Sequence, residues 1–212
     1  ATDREINVFT LEALFSTVTN VDFDPERIQA LIYKAAEIRD KAKALYEQAA
    51  QKAGKTPENL GGAASWTPAD DQAGLVEQGA AVGVESRKAK YGDDITGLIE
   101  LITYGLKGAA AYADHAQILG QEDDGVYAIF HEILDYLAGD SFDVGELLAK
   151  ALKVGELNLK VMELLDAANT GAYGHPVPTA VRITPVNGKA ILVSGHDLKD
   201  LEELLEQTEG LG

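Results

Sequence analysis

One helical pattern occurs twice in this chain, and that repeat limits its folding more than any other feature. Aligning Phe23-Asp24 with Phe142-Asp143 gives an offset of 119 residues. At that offset Leu11 falls on Phe130, Leu14 on Ile133, Phe15 on Leu134 and Val18 on Leu137. Beyond the Phe-Asp pair, Ile28 falls on Leu147, Ile38 on Leu157, Ala42 on Val161 and Leu45 on Leu164. Three-, four- and seven-residue spacings place such positions on one face of an α-helix. Both copies therefore read as helix, short acidic-capped turn and long helix. A further helix, residues 93–119, precedes the second copy, and the first copy has none. The expectation is two three-helix bundles, the first without its opening helix.

Local signals place the elements. Residues 4–19 carry an apolar stripe of Val8, Leu11, Leu14, Phe15 and Val18. Asp24 then reads as an N-cap and Pro25 as the first helical residue, where a missing N–H costs nothing. That helix should last until about Gly54, followed by a glycine- and proline-rich connection over 54–67. Thr67-Pro68 repeats the cap-then-proline signal for a shorter helix. "YGDD" at 91–94 opens a long helix that Gly120 closes from the C′ position. Two more helices are predicted over 123–138 and 143–168. After Asn169 the texture becomes proline- and glycine-rich, and then Lys189–Ser194 reads as a strand with a helix from Asp197 to Thr208. Asp197 is placed to cap that helix. A solitary strand cannot satisfy its backbone groups, so this βα unit implies a sheet supplied from elsewhere. The fold class is mainly α. The helical domain occupies 1–174, as bundles of about 1–90 and 91–174. A connector covers 175–188, and 189–212 starts an α/β domain.

Charge and composition exclude several partners. The 212 residues carry a net charge of −17. Such a field repels phosphate backbones and acidic lipid, so neither nucleic acid nor membrane is an expected partner. No apolar run approaches the ~20 residues a membrane-crossing helix needs. "ATDREINVF" has neither the basic region nor the apolar run of a signal peptide, so a cytoplasmic protein is expected. The chain has no cysteine. Disulfides and thiolate-bound zinc or iron–sulfur sites within it are therefore excluded.

Several stretches carry a specific resemblance. "EALFSTVTN", "LKGAAAYADHA", "ANTGAYGHP" and above all "ILVSGHDLKDLEELLEQTEG" resemble the hybrid-cluster protein family, the hydroxylamine reductases once called prismane proteins. Carbon monoxide dehydrogenases share the architecture, but "SGHDLKDLEELL" is closer to the hybrid-cluster branch. Members are about two and a half times longer. They begin with a cysteine motif for a conventional iron–sulfur cluster, and two Rossmann-like domains follow the helical bundles. The resemblance implies that this chain is an internal segment of an enzyme reducing hydroxylamine to ammonia, or nitric oxide to nitrous oxide. Its implied partners are a small inorganic nitrogen substrate, a redox partner protein and the remaining domains of the same polypeptide. It also implies a hybrid iron–sulfur–oxygen cluster in the full-length protein, with His196 as an imidazole ligand to one iron. Thr19 and Asn20 match a helix end near the cluster pocket, where Thr19 would line the substrate path. With no cysteine ligands, the segment alone is expected to hold neither cluster and to be inactive.

Plainer readings stand beside these. A histidine at a strand end often only caps or faces solvent, and a carboxyl-end position is also where α/β folds place ligands. His115 and His131 sit on helices, solvated or paired with Asp114 and Asp135. His175 would order the connector by hydrogen bonding, and Trp66 would anchor its loop to a bundle. The cysteine count by itself suggests an alternative function, a non-catalytic helical binding or assembly module.

Overall fold

A computed structural model describes residues 3–18, 23–195 and 197–210. Those residues are mainly α-helical and contain no strand. The helices are α1 (Arg4–Phe15), α2 (Pro25–Lys52), α3 (Gln72–Ala81), α4 (Val84–Tyr91), α5 (Asp93–Ile118), α6 (Asp124–Leu137), α7 (Val144–Tyr173) and α8 (Leu198–Thr208).

Aspartate caps start α2 and α7. The Asp24 carboxylate accepts the Arg27 N–H at 2.9 Å and the Asp143 carboxylate accepts the Glu146 N–H at 3.0 Å. Each satisfies one of the amides that a helix start leaves without a partner. Glycines end α2 and α5. Gly120, at φ +84°, lets Gln121 N–H reach the Ala116 carbonyl at 2.9 Å while its own N–H reaches Gln117. Gly54, at φ +68°, closes α2 in the same way. Only glycine adopts that backbone readily.

α5 is the central helix. Its Ile99, Ile102, Leu106, Ala109, Ala110 and Ala113 form one buried cluster with Leu147, Val154, Leu157 and Val161 of α7. Val126, Tyr127, Phe130 and Ile133 of α6 complete it, with Leu11 of α1. Burying each such large apolar side chain is worth about 1.5–3 kcal/mol. α2 is less deeply packed: Ile38 is its only buried residue among those described. The 54–71 segment is pinned to α2 by polar bonds, with Tyr33 OH donating to Ala69 O and Tyr46 OH accepting from Glu58 N–H. Trp66 holds the loop through its carbonyl, which accepts from Arg39, rather than through a buried indole.

The structure corrects several boundaries. α1 stops at Phe15 rather than 19, and α7 continues to Tyr173 rather than 168. Thr67 caps nothing, because the Gln78 side chain holds the Thr67 carbonyl and the Ala69 N–H outside the helix. Asp71 is the cap, accepting Gly74 N–H at 2.8 Å. A separate helix, α4, follows the break at Gly83. Residues 189–194 form no strand. A strand is a paired object, and no neighbour supplies the ladder here. Ile191 and Leu192 are accordingly 64% and 95% exposed.

Candidate functional site

The sequence-predicted residues Thr19, Asn20 and His196 lie outside the described residues. Phe15, four residues before Thr19, and Asp197, the residue after His196, both meet one histidine, His115. His115 occupies the last turn of α5, where the helix dipole favours positive charge. Its ring meets Phe15, the last residue of α1, edge-to-face with centroids 5.4 Å apart. Its Nδ1 lies 3.4 Å from Oδ1 of Asp197, the residue that precedes α8. Asp197 occupies the N-cap position, yet its carboxylate makes no capping bond to α8, contrary to the expected cap. The turn that leaves α1 is closed by Val18 N–H on the Phe15 carbonyl, and Lys107 reaches the Thr17 carbonyl at 3.4 Å.

A cavity of about 410 Å³ opens between α1, α5, α7 and α8. Phe15, Asp114, His115, Asn169, Asp197 and Lys199 are among its lining residues. Asp114 is only 7% exposed, and burial lifts its carboxyl above the usual range, opposed by a hydrogen bond from Gln117 and by the neighbouring His115. Glu12 on α1 is also raised, first by burial and then by the Asp114 charge. A polar network backs this wall. Gln117 donates to Asp114 at 3.0 Å and accepts from Arg4 at 3.0 Å, while Arg4 also pairs with Glu122 at 2.8 Å. Tyr127 OH donates to the other Glu122 oxygen at 2.8 Å, so burial and that carboxylate both push the phenol up.

The other histidines lie elsewhere. His131 does not pair with Asp135; its Nε2 lies 2.9 Å from Asn7 Oδ1, joining α6 to α1. With the amide oxygen accepting, Nε2 carries the proton. Burial lowers the His131 pKa. The signal for this pair is in the sequence, since Asn7 adjoins the apolar stripe of α1, but helix periodicity cannot say which residue will face it. His175 is exposed in the connector.

The donor set does not fit an iron–sulfur cluster. The chain contains no cysteine, and among the described residues no three His, Asp or Glu side chains gather as a metal site. No chemical step through such a group is therefore assigned to these residues. Among the described residues, no helix is long and apolar enough to cross a membrane.

Comparison with known proteins places the chain in a family. The Prismane/CO dehydrogenase family matches residues 1–212. The chain is 56% identical over 210 residues to the hydroxylamine reductase of Syntrophobacter fumaroxidans, covering 99% of the chain and 38% of that relative. It is 54% identical over 212 residues to the hydroxylamine reductase of Burkholderia lata, covering 100% and 38%. The hydroxylamine reductase of Acidithiobacillus ferrooxidans is 50% identical over 210 residues, again with 99% and 38% covered. The chain thus spans 38% of the length of these relatives while matching them along essentially all of its own, and it belongs to the Prismane/CO dehydrogenase family.

Proposed function

We propose that this chain is the helical segment of a hydroxylamine reductase-type oxidoreductase, working with further domains of a longer polypeptide. The observation that carries this reading is the 56% identity sustained over 99% of the chain. The overall reaction takes NH2OH, two electrons and two protons to NH3 and H2O. A redox partner protein in the cytoplasm supplies the electrons, and nitric oxide reduction to nitrous oxide is the related activity. The hybrid cluster and a conventional iron–sulfur cluster take their thiolates from the rest of the polypeptide. His196 is the ligand this chain contributes to iron of the hybrid cluster. Thr19 and Asn20 belong to the substrate path. The contact of Asp197, the residue after His196, with His115 and the contact of His115 with Phe15, four residues before Thr19, support this assignment.

The domain plan belongs to the same proposal: a helical domain over 1–174 in two bundles, a connector over 175–188, and the start of an α/β domain over 189–212. In support, α2 begins at Pro25 and α7 at Val144, at the offset of the repeat, each behind an aspartate cap. Ile28, Ala42 and Leu45 of α2 are half-buried where Leu147 and Val161 of α7 are buried against α5. A helix equivalent to α5 would cover that face. The exposed Ile191 and Leu192 are what an unpaired sheet strand would present.

The missing thiolates favour a second reading for the chain taken alone, a non-catalytic helical binding or assembly module. A chimaera separates the two. Replacing the matching segment of the Syntrophobacter fumaroxidans enzyme with this chain should preserve hydroxylamine reduction. A folded, cluster-loaded chimaera without activity would overturn the proposal.

A further inference from the structure

We infer that His115 is a positioning residue that fixes the start of α8 against the end of α1. The inference concerns the docking of α8 and stands apart from the catalytic reading above. α8 has little apolar anchorage, since Leu198, Leu201 and Leu205 are 42%, 39% and 62% exposed. Among the described residues, two polar contacts tie it to the bundle. Asp197 meets His115 of α5 at 3.4 Å, and Glu202 accepts from Tyr173 OH of α7 at 2.9 Å. The first of these pairs lines the cavity of about 410 Å³.

The two contacts are not equivalent. Tyr173 is the last residue of α7 and is exposed, so its bond with Glu202 is open to water and worth little. His115 is three-quarters buried and touches two elements at once, Phe15 through its ring and Asp197 through Nδ1. A single imidazole therefore sets the distance between the last turn of α1 and the first turn of α8. A side chain that keeps only the ring or only the donor separates the two functions. Phenylalanine retains the contact with Phe15 and loses the one with Asp197. Asparagine places an amide N–H near the Nδ1 position and retains the polar contact.

The test is amide hydrogen exchange on the 212-residue chain carrying His115→Phe or His115→Asn. His115→Phe is expected to speed exchange about fivefold at residues 201–204, the first bonded amides of α8, while leaving α5 and α7 core amides unchanged. His115→Asn should restore the slow exchange. Adding Asp197→Ala to His115→Phe should produce no further change at residues 201–204. Exchange within twofold of the parent at residues 201–204 in His115→Phe would overturn the inference, as would no rescue by asparagine. A parallel rise in core exchange would also overturn it, by showing that His115 merely supports the bundle. None of these outcomes depends on hydroxylamine reduction, so failure here is separable from failure of the proposed function.

Discussion

Gly105 of α5 faces Val154 of α7 so closely that a Cβ at position 105 would lie 2.7 Å from Val154 Cγ1. This contact sets how near the two central helices approach. Alanine at 105 gains helix propensity of about 1 kcal/mol but meets a β-branched side chain with one favoured rotamer. Overpacking costs about 1–3 kcal/mol, so Gly105→Ala should be net destabilising by about 1 kcal/mol in urea unfolding. In a Val154→Ala background the same substitution should instead stabilise. Equal effects in both backgrounds would remove the close approach as the cause.

The His131–Asn7 pair makes stability depend on pH. Burial holds His131 below its ordinary value of 6.5 in the folded chain. The unfolded chain then binds the proton more readily, so stability is complete above 6.5 and falls as pH drops through 6.5 towards the lower folded value. His131→Gln should flatten the loss of unfolding midpoint measured between pH 7.5 and 5.5. An unchanged slope would place the pH dependence on other groups.

Much of the helical framework could be read in the sequence, and the exceptions have physical causes. Asp24-Pro25, Phe142-Asp143 and Gly120 are local signals whose partners lie within one turn, and the structure uses all of them. Thr67-Pro68 has the same form, but Gln78, eleven residues from Thr67, captures its backbone. The His115–Asp197 and His131–Asn7 contacts join residues 82 and 124 positions apart. Periodicity gives the face of a helix but not which face it meets. The strand at 189–194 needs pairing partners that the described residues do not supply.

That correction at the start of α3 can be tested directly. Asp71→Ala should cost about 1 kcal/mol through loss of the Gly74 cap, whereas Thr67→Ala should change stability by less than about 0.5 kcal/mol. The reverse order would restore Thr67 as the cap.

Metal content provides a third kind of check. Incubated anaerobically with iron and sulfide and then desalted, the 212-residue chain should retain neither in stoichiometric amount, because it offers no thiolate. Retained iron with equimolar sulfide would contradict this.

The most direct measurement concerns His196. In the chimaera with the Syntrophobacter fumaroxidans hydroxylamine reductase, His196→Ala should leave helical content intact, alter the electron paramagnetic resonance signal of the cluster and lower hydroxylamine reduction about 100-fold. His175→Ala, at an exposed connector position, should change neither. Full activity with an unaltered spectrum in His196→Ala would show that the residue is no ligand and would contradict the site assignment.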